Sequence, residues 1–177
     1  MKRSMAEGKK IIGVRWVDVN KGDETKDDYR SRLVAKEINT GKRPDLFAGT
    51  PPLESLRYLA SSCARQGGRG GSGIRMMFND VRRAYFFAEA KRDIYVELLE
   101  EDREYDEYGV AMVGKLNLSM YGTRDAAQNW SIEYCRTLVE MGFIQGVASS
   151  CHFYHPEKKL RCVTISRRQE ENVNLNG

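Results

Sequence analysis

The sequence predicts an α+β fold with a mainly antiparallel sheet and packed helices. Two observations predict this class: strand-like segments come in pairs joined by polar turns, and segments with a helical apolar face separate those pairs. The 177 residues are 41% hydrophobic and 31% charged, which suits a folded chain and excludes an intrinsically disordered one. We therefore expect a chain of this length to bury a hydrophobic core.

The first third of the chain predicts a hairpin and a helix. Residues 11–19 and 29–36 are rich in β-branched side chains, and a polar turn begins directly after the first of these segments. Residues 51–66 begin with two prolines and place leucines at helical spacing, which predicts a helix. The order of these elements favours a hairpin followed by a packed helix.

The remainder of the chain predicts short strands and helices. Residues 67–73 are rich in glycine but lack the Gly-Lys-Ser/Thr ending of a phosphate-binding loop, so we interpret them as a flexible connection. The apolar residues 74–78 predict a strand that leads into Asp80. Beyond it the patterns predict a turn and short helix at 81–92, strands at 94–98 and 113–118, a helix at 125–141 ended by Gly142, and a hairpin at 151–154 and 160–165.

Charge is unevenly distributed along the chain, whose net charge is +4. Residues 1–43 hold twelve Lys or Arg against seven acids, residues 65–87 hold five Arg against one Asp, and residues 89–107 reverse the balance with nine acids against three bases. The basic segments favour a polyanionic partner such as nucleic acid, although a solvated surface gives the same pattern. No secretory signal or membrane-spanning apolar run is present, so we expect an intracellular chain with reduced cysteines.

Two local patterns have residue types suited to binding. Strand alternation places Arg30, Arg32 and Lys36 on one face, where three cations can hold phosphates or lie in solvent. The run Cys151-His152-x-x-His155 contains residue types that bind zinc. The fourth ligand is missing and the surroundings are apolar, so we interpret this run as part of a sheet.

Six runs of residues stand in an order and spacing typical of one protein family. They are Gly13–Val17, Tyr29–Lys36, Leu53–Arg57, Asn79–Tyr85, Asp93–Glu97 and Leu118–Trp130. Together they resemble the reverse transcriptase of copia-type retrotransposons. The resemblance implies the fingers and part of the palm of a right-hand polymerase over residues 9–165. Residues 1–8 are then a flexible N-terminus. Residues 166–177 are foreign to the family, and their polar sequence without a period predicts a disordered tail.

The resemblance also implies a reaction. It is the template-directed addition of a nucleotide from a deoxynucleotide triphosphate to a DNA primer paired with an RNA template, with two Mg²⁺ or Mn²⁺ ions at the reacting phosphate. Asp80 matches the first metal-binding aspartate of the family, so the resemblance makes it catalytic, with the Val81 carbonyl as a further metal ligand. A helix N-cap is the alternative interpretation of Asp80.

Other residues match nucleotide-binding positions of the family. Tyr85 matches the aromatic residue beneath the incoming sugar that favours deoxynucleotides, although its position also suits a core tyrosine. Arg30, Arg32 and Lys36 match the cations that meet the triphosphate and the template, without a division of roles among them. Gly122 matches a glycine that lets the backbone approach the nucleotide or template.

One expected feature of the family is missing from the sequence. Its second metal motif is an Asp-Asp pair in a hairpin, and no Asp follows Asp125. We therefore expect a truncated reverse transcriptase that is catalytically incomplete alone, since losing ligands from a two-metal site costs many decades of rate. The alternatives are a non-enzymatic nucleic-acid-binding remnant and an unselected retroelement-derived product with an exposed sheet edge.

Overall fold

The computed structural model describes residues 1–38, 41, 46, 49–66 and 73–165. The chain divides into two compact units, the first formed by Met1–Leu46 and Arg83–Trp130 and the second by Phe47–Arg82 and Ser131–Gly177. Both units contain mainly antiparallel sheets, and two helices accompany them, so the predicted α+β class is confirmed. The connection predicted at 67–73, apart from Gly73, and the tail predicted at 166–177 lie outside the described residues.

The first unit contains two small sheets. Its strands are β1 (Ile11–Ile12), β2 (Val14–Asn20), β3 (Tyr29–Ala35), β4 (Tyr95–Glu97) and β5 (Val113–Lys115). One sheet has the order β1-β4-β5, in which β1 is parallel to β4 and β4 is antiparallel to β5. The other is the antiparallel hairpin of β2 and β3, in which Trp16 is paired with Leu33, so the predicted hairpin is confirmed.

The core of the first unit is built by one face of each sheet. Leu33 and Ala35 of β3 pack with Ile12, Ile94 and the neighbouring apolar residues of the cluster, which are Val14, Val96, Leu116 and Met120. Alternating side chains of β3 point away from this core, because successive residues of a strand face opposite sides. The predicted separation of apolar and cationic residues on this strand is therefore confirmed.

Residues 1–8, for which the sequence predicts a flexible segment, contain a 3-10 helix at Arg3–Ala6. Ala6 is buried against Tyr95 and Val113. The N-terminal ammonium group also donates a hydrogen bond of 2.9 Å to the Val113 carbonyl. These contacts hold the segment against β4 and β5.

The second unit contains a helix and a three-stranded sheet. The helix α1 (Leu53–Gln66) confirms the prediction for residues 51–66. The strands β6 (Ile144–Gln145), β7 (His152–His155) and β8 (Leu160–Val163) form an antiparallel sheet in that order, and β7 with β8 is the predicted hairpin. Cys151, Phe153 and His155 alternate as its buried residues, and the His155 ring lies 5.1 Å from Phe143. The Cys-His run therefore belongs to the sheet, as predicted.

The second helix is α2 (Ala126–Glu140), of which the residues up to Trp130 belong to the first unit and the residues from Ser131 to the second. It ends before Gly142, whose φ of +92° is the left-handed conformation that commonly follows a helix. The predicted helix and its stop are both confirmed. Within the described ranges, no helix has the length and apolar character needed to cross a membrane.

The strand predicted at residues 74–78 is wrong. These residues are irregular and pair with no strand in the described part of the chain. The side chains of Met77 and Phe78 are 78% and 85% exposed. An apolar run becomes a strand only where a neighbour accepts its backbone hydrogen bonds and covers its side chains, and no described residue does so here.

Candidate nucleic-acid interface

Three cations line the exposed side of β3 and its end. We call Arg30, Arg32 and Lys36 the cationic face, because all three are exposed on the side opposite the core. Arg30 donates a hydrogen bond of 3.3 Å to Asp28. The central carbon of the Arg32 guanidinium lies 6.0 Å from the ring centroid of Tyr121, which is a cation–π distance. Arg32 is thus the member of this face that an aromatic ring supports.

Tyr121 also contacts two other aromatic rings. The Tyr85 and Tyr121 ring centroids are 4.8 Å apart, and the Phe86 ring meets Tyr121 edge-on at 5.7 Å. Tyr85 stands on the 3-10 helix Ala84–Phe87 and is half-buried. Burial, followed by the proximity of Tyr121, raises the pKa of the Tyr85 phenol above its ordinary value. The three rings therefore form an aromatic surface beside the Arg32 guanidinium.

Gly122 follows Tyr121 and lies against strand β3. Its φ is +84°, and a Cβ atom there would stand 2.0 Å from the Ala35 carbonyl oxygen. The Ala35 amide donates a hydrogen bond of 2.7 Å to the Tyr121 carbonyl. The close approach that this glycine permits is therefore to its own chain, whereas the approach to a nucleotide stays a prediction.

A partly buried group of charges, which we call the ion triad, joins three separate parts of the first unit. The guanidinium of Arg92 donates two hydrogen bonds to Asp125, of 3.0 and 2.7 Å, and two to Glu37, both of 3.0 Å. The Glu37 and Asp125 side chains are only 8% and 5% exposed. Glu37 also accepts a hydrogen bond of 2.7 Å from the Arg124 backbone amide. The triad thus ties the end of β3 to the loop that precedes α2.

The hydrogen bonds of the triad decide the ionisation of both acids. Burial acts to raise the pKa of Glu37, but the hydrogen bonds from Arg92 and the Arg124 amide outweigh it, and the pKa is lowered. Burial likewise acts against ionised Asp125, whose pKa is nevertheless lowered by Arg92 and, to a smaller extent, by Asn129. The same bonds raise the pKa of Arg92. All three groups are therefore charged at neutral pH.

Asp80 and Val81 belong to the second unit, whereas the cationic face belongs to the first. Both are exposed and neither belongs to a helix or strand. The N-cap interpretation of Asp80 is wrong, since the next 3-10 helix has Arg83 at its N-cap position. Among the residues that the structure describes, no three acidic, histidine or cysteine side chains gather as metal ligands. One exposed carboxylate and one carbonyl do not fit a pair of divalent ions.

The predicted site residues are thus only partly brought together. Arg32 and Tyr85 both lie beside the Tyr121 ring, and the neighbouring Gly122 packs against Ala35 of β3. The second unit has a cavity of about 570 Å³ between α1 and the β6-β7-β8 sheet, and none of the predicted site residues lines it.

Sequence reasoning missed Tyr121 and the ion triad. The signal for Tyr121 was its place beside Gly122 in the family-like run. Asp125 lies in the same run, at a position to which the resemblance assigns no role. Nothing local marks Glu37 and Arg92 as its partners, because they are 88 and 33 residues away in sequence.

Comparisons with known proteins establish the family. Residues 3–164 match the reverse transcriptase (RNA-dependent DNA polymerase) family. The chain therefore belongs to the reverse transcriptases, and its relatives are of the copia type that the sequence predicts.

Two curated relatives are retrovirus-related Pol polyproteins from transposons. The one from transposon TNT 1-94 of Nicotiana tabacum is 24% identical over 156 residues, which cover 85% of this chain and 11% of the relative. The one from transposon RE1 of Arabidopsis thaliana is 27% identical over 154 residues, which cover 81% of this chain and 10% of the relative. The chain spans about a tenth of the length of these relatives. No solved structure matches it.

Proposed function

We propose that this chain forms the fingers and part of the palm of an RNA-directed DNA polymerase and binds nucleic acid through its cationic face. The observation that carries the proposal is Arg32, held 6.0 Å from the Tyr121 ring beside Tyr85. An arginine fork can bind phosphate oxygens in pairs, while neighbouring aromatic rings can stack on a base. The partners we propose are an RNA template, a DNA primer and a deoxynucleotide triphosphate.

The test is the salt dependence of binding to a fluorescein-labelled RNA–DNA hybrid. If Arg30, Arg32 and Lys36 each neutralise one phosphate, affinity should fall roughly 40-fold between about 50 and about 200 mM salt. The Arg32→Ala variant should weaken binding and reduce the slope of log affinity against log salt by about one. Arg136→Ala is the matched control, because Arg136 is exposed on α2 and pairs with Glu133 and Glu140.

A flat salt response, or equal weakening by Arg32→Ala and Arg136→Ala, would contradict the proposal. The first result would mean that phosphates contribute nothing to binding. The second would mean that any surface arginine contributes equally to binding, so the cationic face and the Tyr121 ring beside it have no specific role.

We also propose that the chain alone does not add nucleotides to a primer. Asp80 is exposed on an irregular segment, and no described carboxylate joins it as a metal ligand. Mg²⁺ prefers several oxygen ligands, and a two-metal transfer needs carboxylates that bridge both ions. Polymerase activity would then require acidic ligands in addition to Asp80, whereas binding through the cationic face would not.

A further inference from the structure

The ion triad and the cationic face meet at the C-terminal end of strand β3 (Tyr29–Ala35). Glu37 follows Lys36 directly, two residues after the strand ends, and Arg32 lies five residues before Glu37, within the strand. The triad fixes Glu37 to the loop that carries Tyr121, and the Ala35–Tyr121 backbone hydrogen bond fixes the same two segments. The register of β3 against this loop therefore decides where Arg32 stands relative to the Tyr121 ring.

The geometry of the triad depends on arginine in particular. Arg92 donates two hydrogen bonds to each carboxylate, so two edges of its planar guanidinium are occupied by one acid each. A lysine would keep the positive charge but could not hold both acids in fixed directions. Arg92 stands in the segment 89–107, where nine acids outnumber three bases, so it is not part of a general basic surface.

We propose that Arg92 is a positioning residue, which holds Arg32 over the Tyr121 ring by locking Glu37 and Asp125 together. Among the described residues, the hydrogen bonds and ion pairs of Arg92 go to Glu37 and Asp125 and not to Arg30, Arg32 or Lys36. Because β2 already holds β3 in register, the triad sets the position of the loop that carries Tyr121 against β3, and with it the distance from Arg32 to the Tyr121 ring. The inference rests on the proposed nucleic-acid binding, because the positioning of Arg32 by Arg92 is measured through the affinity for nucleic acid that Arg32 provides.

The test is a double-mutant cycle of Arg92→Lys and Arg32→Ala, with affinity for the labelled RNA–DNA hybrid as the readout. We expect Arg92→Lys to weaken binding about tenfold in the parent chain and hardly at all in the Arg32→Ala background, because the two residues act through one contact. Arg136→Lys is the control, since Arg136 also pairs with two carboxylates but on the exposed side of α2. It should leave affinity unchanged.

A second variant covers the case in which Arg92→Lys does not fold. Asp125→Asn keeps the Arg92–Glu37 pair and a side chain of the same shape, and the cycle with Arg32→Ala is repeated with it. The same non-additive loss is expected. A folded Arg92→Lys or Asp125→Asn chain that binds as tightly as the parent would overturn the inference, as would losses that add to that of Arg32→Ala, because a merely structural role predicts additivity.

The two proposals fail in different ways. If Arg32→Ala binds the hybrid as well as the parent chain does, the proposed function is wrong and the inference falls with it. If Arg32→Ala weakens binding but the triad variants do not, the proposed function survives and only the positioning role of Arg92 is lost.

Discussion

Replacing Gly122 with alanine should destabilise the first unit more than the same change at another left-handed glycine. Gly122 has φ +84°, and its added Cβ would stand 2.0 Å from the Ala35 carbonyl oxygen, 1.4 Å short of the 3.4 Å at which ordinary contact begins. The left-handed conformation costs an alanine roughly 1–2 kcal/mol. Relieving the clash costs roughly a further 1–3 kcal/mol, because the atom in the way is backbone and cannot rotate aside.

Gly109 provides the matched control for this substitution. It has φ +73° in the same unit, but a Cβ there would meet nothing within 4 Å. Gly109→Ala should therefore cost only the conformational part, roughly 1–2 kcal/mol, against roughly 2–5 kcal/mol for Gly122→Ala. The free energy of unfolding from urea titration, followed by circular dichroism, measures both. Equal destabilisation of the two variants would refute the close packing of Gly122 on β3.

Three further predictions concern stability. Stability should fall as the pH is lowered below the ordinary pKa values of 4.5 for Glu37 and 3.8 for Asp125, because both pKa values are lowered in the folded chain and the ionised acids stabilise it. Urea titrations across this pH range measure the effect. The combined Glu37→Gln and Asp125→Asn variant should lose less stability over the same range. Asn129→Ala should lower the free energy of unfolding in urea by about 1–3 kcal/mol, since the buried Asn129 side chain donates hydrogen bonds of 3.0 Å to Ser119 and 3.3 Å to Asp125. Asn117 is exposed, so Asn117→Ala is the control and should change stability by less than about 0.5 kcal/mol. Asp80→Asn should also stay within about 0.5 kcal/mol of the parent, because the Asp80 side chain is exposed; a larger loss would place it in a folded site.

The elements that the sequence predicts correctly are those with local signals. The helix α2 has periodic apolar residues and Gly142 after its last turn, and the hairpin of β2 and β3 joins two β-branched segments through a polar turn. These signals lie within a few residues of the element itself. The α+β class and the faces of β3 could therefore be derived before the structure was known.

The features that the sequence could not predict depend on partners far along the chain. Residues 74–78 have the composition of a strand, but strand formation requires a neighbour, and no described segment pairs with them. The ion triad joins Glu37, Arg92 and Asp125, whose charges show no pattern until the fold brings them together. Sequence spacing therefore found the candidate cations, while the group that positions them required the structure.

The most direct test of the account is primer extension on a primed RNA template with Mg²⁺ or Mn²⁺, run beside hybrid binding on the same preparation. We expect the parent chain to bind the hybrid, with affinity that falls steeply with salt, and to incorporate no deoxynucleotide above the level of Asp80→Asn. Metal-dependent incorporation by the parent chain that Asp80→Asn abolishes would contradict the account. It would mean that the 177 residues already contain a working catalytic centre.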